Sequence, residues 1–157
     1  MRKASVIVAS TRAAAGTYED TSGAYAVEFL RSRGFDTPDA VIVPDAGIAQ
    51  AVHEALAAQP AVLLTSGGTG ITADDLTVEI VEPLLDKQLP GIVSAFWARG
   101  LETTPTAVLS RAVAGITGRT FVMTLPGSRG GVKDGCAVLD PLIDHILELT
   151  EGSRDHT

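Results

Sequence analysis

The sequence predicts an α/β protein with an open, mostly parallel sheet and helices on both of its faces. Two observations carry that prediction. Short β-type apolar runs alternate with longer segments whose apolar residues recur at helical spacing. Several runs also end in polar or glycine-rich turns. Ligands of such sheets bind beyond the carboxyl ends of the strands, where these turns lie.

The first run, Val6 to Ala9, reads as a buried strand, and residues 11–23 read as a long polar loop. A helix follows from about Ser22 to Arg33, with Ala26, Phe29 and Leu30 on one face and Gly34 as its stop. Ala40 to Val43 is a second strand, ending at Pro44-Asp45. In the next helix Ile48, Ala51, Val52, Ala55 and Leu56 share a face, and Gln59-Pro60 closes it. A third strand, Ala61 to Leu64, leads into Thr65-Ser66-Gly67-Gly68-Thr69-Gly70. Helical character returns from about Thr77 to Leu85, and again after Pro90-Gly91 in a segment carrying Phe96 and Trp97. Ala112 to Ile116 and Thr120 to Leu125 read as two short strands around Gly118, the second ending in Pro126-Gly127-Ser128. The stripe Leu139, Leu142, Ile143, Ile146 and Leu147 predicts one closing helix, with Asp140, Asp144 and Glu148 toward solvent. Residues 151–157 read as a frayed tail behind one domain spanning residues 1–150.

Hydrophobic residues make up 45% of the chain but aromatic ones only 4%, so the core must be Ala, Val, Leu and Ile. The net charge of -7 argues against non-specific binding to nucleic acid or anionic membranes. No apolar run approaches the ~20 residues that span a bilayer. The start of the chain does not read as a signal peptide. The single cysteine, Cys136, permits no internal disulfide, fits a reducing cytoplasm and reads as a packing residue. His53, His145 and His156 fall on two helices and the tail, and so make no ligand set.

The glycine segment is the most informative stretch. Glycine lets the backbone approach a ligand closely, and successive N–H groups in such a turn suit phosphate oxygens. It is neither a Walker A loop nor a dinucleotide fingerprint, since the lysine and the spacing are missing. Asp74 and Asp75 follow closely, which suggests a phosphorylated ligand handled with a divalent cation. Asp45 and Asp75 each have a plainer reading as helix-capping acids. Their expected place at one sheet edge with the glycine turn favours the metal reading.

Together the motifs resemble the molybdopterin adenylyltransferase family, which shares its fold with the gephyrin G domain and the bacterial MoaB proteins. The resemblance runs from about Ser5 to Leu149. It rests on Ser10-Thr11-Arg12 with Gly16 and Asp20, Val43-Pro44-Asp45, Thr65 to Gly70 with Asp75-Leu76-Thr77-Val78-Glu79, Pro90-Gly91, Leu109-Ser110-Arg111 and Leu125-Pro126-Gly127-Ser128. Small actinobacterial-type members, with an Ala-rich first loop and an acidic balance, resemble it most.

The resemblance implies a three-layer α/β/α sandwich assembled as a homotrimer. It implies magnesium-dependent transfer of AMP from ATP to molybdopterin, with pyrophosphate released. The family's two functional aspartates fall on Asp45 and Asp75, the expected catalytic and Mg²⁺-holding residues. The glycine loop (Ser66, Gly67, Gly68, Thr69, Gly70) and the turn Pro126, Gly127, Ser128 match the segments that hold the pterin and its phosphate. Ser10 matches the nucleotide side, and Ser110 is a further substrate-binding candidate. Arg111 is read either as substrate-binding or as a structural or subunit-contact arginine. A molybdenum-insertion protein is an implied partner. A non-catalytic molybdopterin carrier or scaffold remains the alternative reading. The chain departs from the usual family pattern at Thr11 (commonly Asp), Asp74 (often basic), Val78 (commonly Pro) and Ile92-Val93-Ser94 (often with a Glu).

Overall fold

Valine- and isoleucine-rich runs too short for helices pair into one six-stranded sheet in the computed structural model, which describes residues 1–152. The strands β1 (Ala4–Ala9), β2 (Val41–Val43), β3 (Val62–Ser66), β4 (Lys87–Gln88), β5 (Ala114–Thr117) and β6 (Thr120–Leu125) lie in the order β2-β1-β3-β6-β5-β4. β2, β1, β3 and β6 are mutually parallel, while β5 runs antiparallel to β6 and β4 antiparallel to β5. The register pairs Ala9 with Val43, Val8 with Ser66 and Ser66 with Leu125. Four strands therefore end level. The turns that begin at Ser10, Pro44, Gly67 and Pro126 open side by side.

Helices cover both faces. α1 (Thr11–Ala14) is a single turn at the sheet edge. α2 (Ser22–Ser32), α5 (Pro90–Leu101), α6 (Arg129–Leu139) and α7 (Ile143–Thr150) bury Leu30, Phe96, Leu139 and Leu147 against Val6, Leu64 and Met123. α3 (Ile48–Ala57) and α4 (Thr77–Val81) bury Val52, Val78 and Val81 against Ile7, Leu63 and Val122 on the other face. The result is a three-layer α/β/α sandwich. β3 and β6 are buried along their whole length, as a parallel sheet covered on both faces requires.

Several expectations change. The first loop contains the turn of helix α1, because the Ser10 hydroxyl accepts the Ala13 N–H at 3.1 Å and caps it. The single closing helix is two helices, α6 and α7. Pro141 has no N–H for a carbonyl four residues back, so the helix stops at Leu139 and restarts at Ile143. α6 is glycine-rich and did not show in the sequence pattern. It holds Cys136, whose thiol is buried and pushed up to about 12, and so is unreactive. β4 is too short to show a strand pattern. Glu151, read as tail, accepts two hydrogen bonds from the Arg2 guanidinium at 2.7 and 3.1 Å. Residues 153–157, and His156 with them, lie outside the described residues.

Thr65 is fully buried in β3, and its Oγ1 has no hydrogen-bond partner among the described residues. Removing an unpaired buried hydroxyl recovers about 1 kcal/mol or more. Thr65→Val is therefore expected to raise Tm by about 2–4 °C. Calorimetry checks this, and a lower Tm would show that the hydroxyl is bonded in solution.

Candidate active site

The site is assembled from turns at the level strand ends. At the first, the Ser10 N–H donates to the Val43 carbonyl at 2.9 Å, tying α1 to β2. The Thr11 hydroxyl accepts the Asp45 N–H at 3.1 Å and donates to Asp45 Oδ2 at 3.1 Å. Asp45 opens a short 3-10 turn, Asp45–Gly47, before α3. Its carboxylate faces Thr11 and caps neither element, so the capping reading of Asp45 does not hold.

Three hydrogen bonds, to Leu125 and Thr77, anchor the glycine turn at Gly67 and Gly68. Gly67 and Gly68 have φ of 94° and 72°. The Gly67 N–H donates to the Leu125 carbonyl at 2.9 Å, and the Thr77 hydroxyl donates to the Gly67 carbonyl at 2.9 Å. The Thr77 N–H closes on the Gly68 carbonyl at 3.1 Å. Gly67 thus has no N–H to spare for a phosphate. The N–H groups of Gly68 and Thr69 have no acceptor among the described residues. Thr69 Oγ1 lies 3.0 Å from Ser110 Oγ. Ser66 is buried; its hydroxyl lies 3.0 Å from the Pro126 carbonyl and 3.0 Å from Ser22 Oγ, which in turn reaches Asp20 Oδ1 at 3.0 Å.

Arg111 ties the glycine turn to the helix behind it. Its guanidinium donates to the Gly70 carbonyl at 2.7 Å and the Asp75 carbonyl at 3.2 Å, and forks onto both Glu79 oxygens at 2.7 and 2.8 Å. It clasps the glycine turn to α4 from behind. Burial alone would raise the pKa of Asp75. The Thr72 hydroxyl and N–H, the Gly70 N–H and the Arg111 charge outweigh burial and hold it below its ordinary 3.8. The Thr72 hydroxyl donates to Asp75 Oδ2 at 2.7 Å and its N–H at 2.9 Å, so Asp75 closes its own upstream turn and does not cap α4. Glu79 is held below its ordinary 4.5, chiefly by the hydrogen bonds from Arg111.

Depressed carboxylate pKa values give stability that is present above the ordinary values and lost as pH falls through the lower folded ones. The turn is therefore expected to loosen before the core as pH drops below about 4. Amide exchange over residues 68–75 should accelerate there while the β6 amides stay protected. Glu79→Gln should weaken that acid sensitivity, and an unchanged profile would show that the clasp contributes nothing.

Beyond these turns lies a cavity of about 1130 Å³. Ser10, Asp45, Gly67, Gly68, Thr69, Gly70, Asp75, Ser110, Pro126, Gly127 and Ser128 all line it. Two expected residues do not. Ser66 is buried beneath the turn and Arg111 stands behind it. Residues that sequence reasoning did not assign a role line it as well, including Thr11 and Ser22. Phe96, Thr103, Thr104, Thr106, Lys133 and Asp134 line it too. Lys133 went unnoticed because α6 did. His53 and His145 are exposed and outside the cavity. Among the described residues no three His, Cys, Asp or Glu side chains are grouped to hold a metal ion by themselves.

Residues 5–145 match the family described as the probable molybdopterin binding domain. The chain belongs to that family. It is 39% identical to the molybdopterin adenylyltransferase of Pyrococcus furiosus, over 93% of this chain and 89% of that protein. It is 36% identical to the molybdenum cofactor biosynthesis bifunctional protein of Chlorobaculum tepidum, over 96% of this chain. The chain spans about half of that longer relative, 49% of its length. Among solved structures, the molybdopterin biosynthesis Mog protein of Mycobacterium ulcerans superposes with a TM-score of 0.90 at 42% identity, covering 96% of this chain and 99% of that one. The family and sandwich read from the motifs are those the comparisons show.

Proposed function

We propose that this chain acts in molybdenum cofactor biosynthesis as a molybdopterin adenylyltransferase. An oxygen of the molybdopterin terminal phosphate attacks the α-phosphorus of ATP. The bond from that phosphorus to the bridging oxygen breaks, and pyrophosphate leaves with the electron pair. The observation that carries this reading is one cavity, large enough for two ligands, that gathers both aspartates and the unpaired N–H groups of Gly68 and Thr69. Relatives that bear the activity in their names add support.

Such a transfer asks the protein to position two polyanions and to offset the charge that develops. Gly68 and Thr69 would donate N–H bonds to one phosphate. Ser128 caps α6 by accepting the Gly131 N–H at 3.1 Å, and the positive end of that helix beside Gly127 would still favour an anionic ligand group. Ser10 and Ser110 line the same cavity and would add hydroxyl contacts to a ligand. Asp45 and Asp75 suit Mg²⁺, which keeps most of its waters and takes one or two carboxylates plus substrate phosphates, so no larger acidic cluster is needed. An ion held by Asp45 and Asp75 would supply positive charge against the substrate phosphates. Asp75 is ionised at neutral pH, as an ordinary aspartate is, and the hydrogen bonds that hold its pKa low offset its burial.

The family resemblance extends the proposal to a homotrimer in the cytoplasm that passes its product to a molybdenum-insertion protein. No helix among the described residues is long and apolar enough to cross a membrane. The test mixes protein, ATP, Mg²⁺ and freshly released molybdopterin. Adenylylated pterin and pyrophosphate should appear one for one. Pterin binding without product would replace the enzyme by the carrier reading. Light scattering reads the assembly.

A further inference from the structure

We propose that Thr11 is a positioning residue that sets the Asp45 carboxylate for a divalent cation; this rests on the reading of Asp45 as a cation-holding residue. The Asp45 carboxylate makes one side-chain hydrogen bond among the described residues, from the Thr11 hydroxyl to Oδ2 at 3.1 Å. The same hydroxyl oxygen accepts the Asp45 N–H at 3.1 Å. One small group therefore fixes both the backbone and the side chain of Asp45 and leaves Oδ1 for a cation.

A single hydroxyl can do both at such short reach. It accepts from the N–H and donates to the carboxylate, whereas a second carboxylate in its place could accept but not donate. Threonine adds a branched Cβ with few χ1 states, and it stands at the first position of a turn capped by Ser10. Thr11 and Asp45 both line the cavity. The departure at Thr11 thus supplies orientation to Asp45 from the protein itself, before any cation arrives.

The test measures Mn²⁺ binding by water-proton relaxation, with the protein saturated by a non-hydrolysable ATP analogue. Wild type, Thr11→Val, Thr11→Ser and Asp45→Asn are compared, with Tm recorded for each. A hydrogen bond to a charged group sets the expected loss for Thr11→Val at about tenfold in Mn²⁺ affinity. Its Tm should stay within about 2 °C of wild type, because Thr11 is exposed. Thr11→Ser should restore affinity to within about twofold, since it keeps the hydroxyl. Unchanged Mn²⁺ affinity in Thr11→Val would overturn the inference. So would a Thr11→Ser variant as weak as Thr11→Val, or Mn²⁺ binding that survives Asp45→Asn or is absent from wild type. A Thr11-dependent Mn²⁺ site in a protein that makes no adenylylated pterin would remove the transferase reading and leave this one standing.

Discussion

Asp45→Asn lowers adenylyl transfer by about 100-fold or more while the protein remains folded. The size follows from losing one charged group that acts on the developing charge of a phosphoryl-type transition state. The fold should survive because asparagine keeps an oxygen for the Thr11 hydroxyl, and the Asp45 carboxylate makes no other hydrogen bond among the described residues. Asp75→Asn should behave alike, since its amide oxygen can still accept from the Thr72 hydroxyl and N–H. Steady-state pyrophosphate release, read beside Tm, separates the two effects. Turnover near the wild-type rate in either variant would reduce that aspartate to a turn-closing residue.

Gly68→Ala destabilises the protein by about 2–5 kcal/mol. The backbone there has φ of 72°, which costs a non-glycine residue roughly 1–2 kcal/mol. A methyl group would also sit 2.1 Å from Thr77 Oγ1 and 3.0 Å from Thr77 Cβ. Thr77 is fully buried and its hydroxyl already holds the Gly67 carbonyl, so relieving the clash adds about 1–3 kcal/mol. Gly67→Ala should be at least as severe, because its Cβ would lie 2.2 Å from the backbone oxygen of Ala9. Gly130→Ala is the control of opposite sign. A Cβ at Gly130 meets nothing within 4 Å, and alanine in a helix gains about 0.5–1 kcal/mol over glycine. Urea unfolding of the three variants decides. A Gly68→Ala variant as stable as Gly130→Ala would mean the turn is looser than its hydrogen bonds imply.

The sheet was readable because its strands are apolar runs that end in turns, and the ends of β1, β2 and β3 were each marked by a polar residue, a proline or a glycine. The Pro126-Gly127-Ser128 turn joined them only once β6 was seen to run parallel to β3. α6 was not legible because Gly130, Gly131 and Gly135 interrupt it, and helix propensity gives way there to packing of Val132, Cys136 and Leu139 on the sheet. The glycine turn announced a phosphate-sized concavity, but not how its N–H groups are divided. Gly67 gives its N–H to β6, a contact 58 residues away in sequence that no local pattern encodes. Arg111 shows the same limit. Its sequence position allowed a ligand-binding role, and only the fold brings Glu79 and the Gly70 and Asp75 carbonyls to its guanidinium.

Which phosphorus of ATP reaches the pterin distinguishes adenylyl transfer from other phosphoryl chemistry most directly. Single-turnover reactions with ATP labelled at the α-phosphate or at the γ-phosphate separate the possibilities. The α-label should appear in the pterin product and the γ-label in pyrophosphate, both lost with Asp75→Asn. A pterin that carried the γ-label, or label transfer untouched by that substitution, would contradict adenylyl transfer at this cavity.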